Sequence, residues 1–475
     1  MVVGDMEMRV DVAVIGSGPG GYGAAFRAAD LGLDVALIDP RPRPGGVCLH
    51  EGCIPSKSCL FLAGLILDTR RAKKMGLHFA EPELDLTAVN SWKKGVIDTM
   101  ADGLVGLCNK RDIQLITGTA HFESATSLRL EGSDISRLKF ASAIIATGSR
   151  PIPFSGAGPV AGGRIMSSTE ALTLTEIPRR LLVIGGGYVG LELGTVYAAL
   201  GSSIHLAELE DRLLPAVDQD LVQPLHRHLS RLFERISLST RITGLKETAD
   251  GVEACLTTAA GEETLSFDRV LVAMGRTPLS ADLGLEHTAV KTDERGYILV
   301  DSRQRTSEAN IFAVGDVTGG TMLAHTATRE GRIAAEVIAG KTSAFDVRAI
   351  PAVIYTKPQI AWCGLTEQQA RAGNIPISVL KFPWKYSGRA NTMGATDGLT
   401  KIIADPADGR ILGLGVTGRD TEGLIAEGVL AIEMGALAED LALSLHPHPT
   451  LSETEGEAAE IFLGSPTHLA PSKKR

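Results

Sequence analysis

A motif that occurs twice constrains the fold of this 475-residue chain more than any other feature. Residues 12–39 and 182–208 each read as an apolar strand, a glycine-rich turn, a helix and a second strand that ends in an acid. The first glycine and the acid are 23 positions apart in both copies, from 16 to 39 and from 185 to 208. Such glycines let the backbone approach a pyrophosphate, the helix N-terminus supplies N–H donors, and the acid accepts from ribose hydroxyls. The repeat therefore predicts two dinucleotide sites in one α/β chain.

The predicted cofactor-binding positions form two matching sets, and each set includes the glycine that ends a later strand. The first set is Gly16, Gly18, Gly21, Asp39 and Gly148. The second set is Gly185, Gly187, Gly190, Glu208 and Gly275. From first glycine to last, the first copy spans 132 residues (16 to 148) and the second spans 90 (185 to 275), so the first is 42 residues longer. A close pair of cysteines lies in the longer copy, which indicates that this copy was extended to hold further chemistry.

Composition excludes several classes of function. The net charge of −9 and the sequence pI of about 5.7 argue against non-specific nucleic-acid binding. The N-terminus MVVGDMEMRV has acids where a targeting signal needs bases. The most apolar stretch, residues 181–201, contains Glu192 and reads as strand, turn and helix, so we do not expect a membrane span. A cytoplasmic protein is expected.

Cys48 and Cys53 form a C-x4-C pair that leads into a predicted helix. Pro55 suits the first helical turn, which places Cys53 at a helix N-terminus. The free N–H groups and the dipole there favour thiolate over thiol, as a redox-active sulfur requires. A structural zinc would need two further ligands at matching spacing, and the sequence has none, so no metal is expected. The following Lys57 adds a positive charge to the predicted site.

A second candidate lies near the C-terminus, where His448 precedes Pro449 and stands five positions before Glu453. A histidine with a carboxylate partner can serve as a general base, because the acid fixes the tautomer and raises the basicity. His446 has the same residue type nearby, and the spacing alone does not decide between the two histidines.

The motifs GGVCLHEGCIPSK, ATGSRP, GGGYVGLELG, FAVGD, YTKPQIAWCGLTE and HPHPTLSE together resemble the pyridine nucleotide-disulfide oxidoreductase family, and within it the dihydrolipoamide dehydrogenases. The resemblance covers nearly the whole chain. It implies an α/β fold with two Rossmann-like domains, one for FAD and one for NAD, and a C-terminal α+β dimerisation domain. We expect the FAD-binding domain at 1–152 and 278–349, the NAD-binding domain at 153–277 and the dimerisation domain at 350–475.

The resemblance also implies a role for each candidate residue. Cys48 exchanges with the substrate sulfur, Cys53 contacts the flavin, and Lys57 pairs with Glu192 beside it. His448, held by Glu453, is the base and reaches in from the other subunit, which settles the choice against His446. FAD is held by the first set of glycines with Asp39, Lys57 and Asp316, and NAD by the second set with Glu208.

The activity implied is oxidation of dihydrolipoamide to lipoamide, with electrons passing through a Cys48–Cys53 disulfide and FAD to NAD⁺. The implied partners are a second copy of the chain and the lipoyl domains and acyltransferase core of 2-oxo acid dehydrogenase complexes. The lipoyl protein of glycine cleavage is a further implied partner.

Three departures from the family pattern stand in the sequence. His50 and Glu51 occupy the turn between the cysteines where Leu-Asn-x-Gly is usual, Pro447 replaces a common Ala, and Gln359 replaces a usual Glu. The titratable turn is expected to affect the potential of the disulfide.

Two other functions fit parts of the sequence. One is an FAD-dependent reductase of glutathione-like or mercuric type. Glu208 would repel the 2′-phosphate of NADPH, and the last cysteine, Cys363, leaves no C-terminal cysteine pair for mercury. The other is a flavin-containing assembly subunit, which would not need the cysteines, His448 and Glu453.

Overall fold

A computed structural model describes residues 7–155 and 163–470. In residues 7–155 the elements are β1 (Glu7–Ile15), α1 (Pro19–Asp30), β2 (Val35–Asp39), α2 (Gly46–Glu51), α3 (Cys53–Ala72), α4 (Leu86–Asn109), β3 (Gln114–Thr117), β4 (Thr119–Ser124), β5 (Ser127–Glu131), β6 (Arg137–Ile145) and β7 (Ser149–Pro151). In residues 163–349 they are β8 (Ile165–Met166), α5 (Ser168–Ala171), β9 (Arg180–Ile184), α6 (Tyr188–Leu200), β10 (Ser203–Ala207), α7 (Gln219–Leu232), β11 (Arg235–Ser237), β12 (Arg241–Glu247), β13 (Val252–Thr258), β14 (Gly261–Phe267), β15 (Arg269–Val272), β16 (Arg276–Pro278), β17 (Ile311–Ala313) and α8 (Ala324–Ile338). In residues 350–470 they are β18 (Ala352–Ile354), β19 (Gln359–Gly364), α9 (Glu367–Ala372), β20 (Ser378–Pro383), α10 (Gly388–Thr392), β21 (Leu399–Ala404), β22 (Ile411–Gly418), α11 (Thr421–Met434), α12 (Ala438–Leu443) and α13 (Glu453–Leu463).

The first unit is built on a parallel sheet whose strands run in the order β3-β2-β1-β6-β17. The central strand β1 is apolar on both faces, and Val12, Ala13 and Val14 are fully buried, as a parallel sheet covered on two sides requires. Helices α1 and α8 pack against each other on one face. The hairpin β4-β5 extends the sheet by antiparallel pairing of β5 with β6.

The second unit repeats this plan with the parallel order β11-β10-β9-β15-β8. Helix α6 follows β9 as α1 follows β1, and a three-stranded antiparallel sheet, β12-β13-β14, packs beside it. Gly32 and Gly201 follow the ends of α1 and α6, with φ values of +84° and +115°. In such left-handed positions glycine avoids the steric penalty of a Cβ.

The strand at the end of the strand order given above comes from a different part of the chain in each of the two parallel sheets. In the second unit the edge strand β8 precedes the rest, whereas in the first unit β17 follows the whole second unit. The chain therefore crosses between the units twice, and the two crossings pair as a short antiparallel ribbon of β7 with β16.

The third unit is a five-stranded antiparallel sheet in the order β18-β19-β22-β21-β20, with α11 and α13 packed against it. This confirms the predicted α+β character of the C-terminal region, and the fold class as a whole is confirmed.

Helix α3 lies where the three units meet. Its buried residues Cys59, Leu60 and Ala63 belong to one hydrophobic cluster with Leu191 of α6 and Ile354 of β18. Burial of this helix against both neighbours fixes the position of its N-terminus, which bears Cys53.

A buried charge cluster also joins the second and third units. Asp218, Asp220 and Glu367 lie close enough together to hold a cation. The Lys401 ammonium lies among them, 2.6, 2.8 and 3.0 Å from the three carboxylates, and it is almost fully buried. Lys381 pairs with Asp220 and Glu367 as well, so two lysines of the chain itself occupy the position of a cation among the three acids.

Among the described residues, the helical stretch 46–75 is long and apolar enough to cross a membrane by length and composition alone. This stretch is not the one singled out in the sequence, since residues 181–201 form strand β9, a turn and the 13-residue α6. A core helix of a soluble protein passes the same test, and part of α3 lies in the hydrophobic cluster described above.

Candidate active site

The glycines of each nucleotide motif stand where a side chain does not fit. Gly16 has a φ of +99°, and a Cβ on it would lie 2.3 Å from a carbonyl oxygen just beyond β6. A Cβ on Gly21 would lie 1.8 Å from the carbonyl oxygen of Gly16. The equivalent distances are 2.4 Å for Gly185 and 2.1 Å for Gly190. Both turns are therefore tight, and each helix packs directly on its strand.

The acid that ends each second strand is held by the glycine-rich turn. Oδ2 of Asp39 accepts hydrogen bonds from the backbone N–H and the hydroxyl of Ser17, both at 2.8 Å. In the second unit, Glu208 accepts from the N–H of Gly186 and, at 2.8 Å, from the N–H of Glu210. The two acids are fixed in the same place relative to their turns.

Two cavities open at these turns. The first, of about 660 Å³, is lined by Gly16, Gly18, Asp39, Cys48, Cys53, Lys57, Gly148, Glu192 and Asp316. The second, of about 620 Å³, is lined by Gly185, Gly187, Glu208 and Gly275. Of the predicted set, Gly21 and Gly190 line neither cavity, and their close approach to the preceding turn gives them a packing role.

Asp316 lies directly after Gly315, in a turn that follows β17. Its carboxylate accepts a hydrogen bond from the hydroxyl of Ser149, and the same hydroxyl oxygen accepts a hydrogen bond from Nε of Arg276 at 2.7 Å. The Arg276 guanidinium is 3.8 Å from the carboxylate. Gly315 donates its N–H to Glu330 at 2.7 Å. These contacts fix the Asp316 carboxylate at the wall of the first cavity.

The two cysteines of the pair have opposite acidities. Cys53 is the first residue of α3, and both cysteines are thiols in this structure. The hydrogen bond between the two sulfurs and the charge of Lys57 lower the pKa of Cys53 to about 7, against a burial effect that raises it. The same hydrogen bond and burial raise the pKa of Cys48 well above its ordinary value. Cys53 is therefore the more acidic thiol of the pair, and the one that ionises first as the pH rises.

Lys57 lies one turn after Cys53 and pairs with Glu192 at 2.8 Å. Burial alone would lower the pKa of Lys57, but the charge and hydrogen bond of Glu192 outweigh it, so the pKa is raised and the ammonium persists. The other oxygen of Glu192 accepts the backbone N–H of Tyr355 at 2.9 Å, and Lys57 lies 4.6 Å from the Tyr355 ring centroid. The pair bridges α3 of the first unit and α6 of the second.

His448 is held by the predicted acid. Its Nδ1 is 2.8 Å from Oε1 of Glu453, while its side chain is 74% exposed. The other carboxylate oxygen of Glu453 accepts the N–H of Thr450 at 2.7 Å, and these contacts lower the pKa of Glu453 although burial opposes them. The free Nε2 of the imidazole thus points away from the acid that orients the ring.

His446 has a different environment. Its Nε2 is 2.9 Å from Oε1 of Glu427, and only 10% of its side chain is exposed. A Cβ on Gly456 of α13 would lie 3.1 Å from its Nδ1, so the ring is packed against that helix. His446 is therefore a packed residue of the C-terminal unit, with both ring nitrogens facing the protein.

Within one chain, His448 is not among the residues that line the cysteine cavity. Large apolar side chains of the same unit are exposed close to it in sequence, and Leu445 is 100% exposed. Leu430, Met434 and Leu443 are also exposed on this unit. Exposed apolar surface of this kind is typical of a subunit interface.

Two residues of the site were not predicted from the sequence. Tyr188 and Arg276 each line both cavities and so stand between them. Tyr188 directly follows the second glycine turn, and that position was the available signal. Nothing in the local sequence around Arg276 indicates its contact with Ser149, which is 127 positions away.

The family departures have local partners. Glu51 forms an ion pair with Arg41 at 2.6 Å, and Nε2 of His50 lies 3.1 Å from the carbonyl oxygen of Pro44. Gln359 accepts the N–H of Thr421 at 2.7 Å, at the start of α11. The Glu51 charge is thus compensated, which weakens the expected effect of this turn on the disulfide.

The two cavities fit the cofactors that the sequence implies. In each, a side-chain-free turn faces a helix N-terminus, and an acid lies at the end of the next strand, as the pyrophosphate and ribose of a dinucleotide require. The first cavity also reaches the cysteine pair, whereas the second does not. The first therefore suits FAD and the second NAD.

Comparison with known proteins agrees with this geometry. Residues 10–331 match the family described as pyridine nucleotide-disulphide oxidoreductase, and residues 350–459 match its dimerisation domain. A dihydrolipoyl dehydrogenase of Vibrio parahaemolyticus is 43% identical over 472 residues, which cover 98% of each chain.

Solved structures give the same result at lower identity. LpdA from Mycobacterium tuberculosis is 27% identical, with a TM-score of 0.87 over 95% of this chain and 99% of that chain. The HOCl-induced flavoprotein disulfide reductase RclA from Escherichia coli is also 27% identical, with a TM-score of 0.85 over 95% and 99%. This chain belongs to the pyridine nucleotide-disulphide oxidoreductase family and, within it, to the dihydrolipoyl dehydrogenases.

Proposed function

We propose that this protein oxidises dihydrolipoyl groups to lipoyl groups with NAD⁺ as the final acceptor. The observation that carries the proposal is the unequal cysteine pair at the wall of the first dinucleotide cavity, beside the Lys57–Glu192 bridge to the second unit. The enzyme is a flavoprotein that uses FAD and NAD and acts as a homodimer.

The low pKa of Cys53 indicates which sulfur of the disulfide is attacked and which one leaves. In a Cys48–Cys53 disulfide, the sulfur whose thiol has the lower pKa is the better leaving group. A substrate thiolate therefore attacks Sγ of Cys48, the S–S bond breaks, and Cys53 leaves as a thiolate. The second substrate thiol then attacks the substrate sulfur of the mixed disulfide and releases the lipoyl ring, and Cys48 takes up a proton.

His448 supplies the base for the first attack. Glu453 holds Nδ1, so Nε2 accepts the proton of the substrate thiol. At the end of the exchange one proton is on Cys48 and one on His448, which balances the two protons lost by the dithiol. Because His448 is exposed and does not line the cavity of its own chain, it acts at the cysteine pair of the partner subunit.

The cofactors are held by the two sets of residues already described. FAD would be held by Gly16, Gly18, Asp39, Lys57, Gly148 and Asp316, which line the first cavity, and NAD would be held by Gly185, Gly187, Glu208 and Gly275, which line the second. Gly21 and Gly190 keep each helix close to its strand. When bound, FAD provides the two-electron carrier between the cysteine pair and NAD⁺.

We assign one role to each of the three units, and each unit is built on its own main sheet. Residues 1–152 and 278–349 bind FAD, residues 153–277 bind NAD, and residues 350–475 form the dimer interface. Pairing of β17 with β6 supports the assignment of the segment after β16 to the first unit.

The proposed partners are the lipoyl domains and acyltransferase core of 2-oxo acid dehydrogenase complexes, and the lipoyl protein of glycine cleavage. We place the protein in the cytoplasm, where its free thiols would remain reduced. A glutathione-like or mercuric reductase is not favoured, because the 43% identical relative is a dihydrolipoyl dehydrogenase.

Anaerobic turnover tests the activity. Dihydrolipoamide with NAD⁺ should be turned over, whereas NADPH with oxidised glutathione should give background rates. The opposite preference would overturn the proposed activity.

Subunit mixing tests the role of His448. Equal amounts of His448→Gln and Cys48→Ser subunits, unfolded and refolded together, form heterodimers in which one site combines an intact Cys48 with the partner's intact base. About a quarter of wild-type activity should return, since about half the dimers are mixed and each has one intact site. If the base acts in its own chain, mixing restores nothing.

A further inference from the structure

Three exposed residues of the third unit lie in the chain segment that approaches His448. Lys385, Tyr386 and Arg389 flank Gly388 at the start of α10, and all of them are exposed. A Cβ on Gly388 would lie 4.0 Å from Cε1 of His448. The two cationic side chains are therefore carried by the backbone segment that contacts the proposed base.

This segment is rigidly joined to the helix that orients His448. Trp384, directly before Lys385, is fully buried, and its Nε1 donates to Oγ1 of Thr400 at 2.9 Å. Oγ1 of Thr400 is 2.7 Å from Oγ1 of Thr454, which follows Glu453 in α13. Both threonines are fully buried. A buried hydrogen-bonded chain thus fixes the backbone that carries the two cations relative to the start of α13, where Glu453 orients the base.

Neither cation is neutralised within the chain. In residues 7–155 and 163–470, neither Lys385 nor Arg389 forms an ion pair, and the Lys385 ammonium lies 4.8 Å from the ring centroid of Tyr386. By contrast, Lys381 of the same unit is paired with two carboxylates. In a chain of net charge −9, two unpaired cations next to the base form a local positive site for an external anion.

The small substrate does not use this charge, because dihydrolipoamide is neutral. We propose that Lys385, Tyr386 and Arg389 form a docking rim for an acidic protein surface that carries the dihydrolipoyl group to His448. This inference rests on the proposed function. The cations attract the carrier before contact, and Tyr386 offers an aromatic face of the kind enriched in protein interfaces.

Steady-state kinetics with two substrates tests the docking rim. The variant is Lys385→Glu/Arg389→Glu, and the probes are free dihydrolipoamide and a recombinant, reduced lipoyl domain of net negative charge. We expect kcat/KM for the lipoyl domain to fall about tenfold at low salt, and kcat/KM for free dihydrolipoamide to stay at the wild-type value. The wild-type rate with the domain should decrease as salt is added, and the rate of the variant should not.

The matched control is Lys291→Glu/Arg295→Glu, a double reversal at an exposed lysine and an exposed arginine of another unit, four positions apart as in the variant. It should leave both substrates unaffected, whereas an equal loss in the control would show a net-charge effect and overturn the docking rim. A lipoyl domain with amidated carboxylates provides a second check. Its kcat/KM should be the same with the rim variant as with the wild-type enzyme. Equal losses of free dihydrolipoamide and domain turnover would also overturn the inference, because they would indicate damage to the base. Failure of the wild-type enzyme to oxidise free dihydrolipoamide would instead overturn the proposed function.

Discussion

The two nucleotide-binding units are built alike at their turns and differ in the helices that follow the acid-ending strands, β2 and β10. In each unit, a Cβ on the third glycine would lie 2.1 Å or less from the carbonyl oxygen of the first glycine. The acid at the end of the next strand accepts a hydrogen bond from a backbone N–H of the same turn. After β2, however, the first unit inserts α2, α3 and α4, whereas β10 of the second leads to α7 alone before β11. The insertion places the cysteine pair at the wall of the first cavity.

Cofactor binding therefore depends on the glycine turns, which both units have, and redox chemistry depends on the inserted helices, which only the first unit has. The shared geometry accounts for a dinucleotide in each unit, and the insertion accounts for redox chemistry in only one. The side-chain ion pair between α3 and α6, Lys57 with Glu192, lies where the two units meet, so each unit contributes one charge to the site.

The sharpest test removes the chemistry from the first unit alone. Cys53→Ser should lower dihydrolipoamide turnover at least about 1000-fold, because the leaving thiolate is lost, while FAD remains bound. The control is Cys255→Ser, an exposed cysteine on β13 of the second unit, which should retain full turnover. Steady-state rates and flavin absorbance measure both. Substantial activity in Cys53→Ser would mean that the insertion does not hold the chemistry.

A smaller effect tests whether the turns are equivalent. Gly190→Ala places a Cβ 2.1 Å from a carbonyl oxygen and should weaken NAD⁺ binding by about 10- to 100-fold through displacement of α6. FAD should stay bound, since its turn is untouched. Calorimetric titration of NAD⁺ and flavin absorbance separate the two losses. Gly103→Ala, in α4 with open space around it, is the control and should not affect either cofactor. Loss of FAD in Gly190→Ala would show that the units are not independent.

A still smaller effect concerns the acid of the second unit. Glu208→Gln should shift the preference for NAD⁺ over NADP⁺ by about tenfold towards NADP⁺, because the charge that repels a 2′-phosphate is removed. The ratio of kcat/KM for the two nucleotides measures the shift. An unchanged ratio would mean that Glu208 does not face the ribose.

The smallest expected effect is a change in the pKa of the Cys53 thiol. In the NADH-reduced enzyme, the iodoacetamide reaction of Cys53 should rise with pH around a midpoint near 7, since only the thiolate reacts. Lys57 stabilises that thiolate, so Lys57→Met should move the midpoint to higher pH by less than about one unit. Lys94→Met, at an exposed lysine of α4, serves as the control. A midpoint that moves to lower pH would contradict the assigned electrostatics.

The sequence predicted the features that spacing encodes. The glycine turns, the acids Asp39 and Glu208 and the helix start at Cys53 all depend on neighbours within about one βαβ unit, where strand and helix periods are readable. The pairing of Lys57 with Glu192, 135 positions apart, followed from family resemblance and not from spacing.

Contacts between distant segments could not be predicted in this way. Arg276 reaches Ser149 only because β7 and β16 pair, and Lys401 pairs with Asp218 and Asp220 only because the third unit packs on α7. His446 and His448 have the same residue type and similar spacing, and only burial distinguishes the packed ring from the exposed one. Such differences depend on tertiary packing, which a local pattern does not contain.

The late position of β17 has a consequence for synthesis on the ribosome. The first sheet lacks its edge strand until residues 311–313 have emerged, whereas every strand of the second sheet is available by residue 272. Although domains generally fold in order from the N-terminus, here the inserted unit can fold first. In the cysteine-bearing half, which is synthesised earlier, residues 143–145 of β6 lack a partner on that side until β17 has been made.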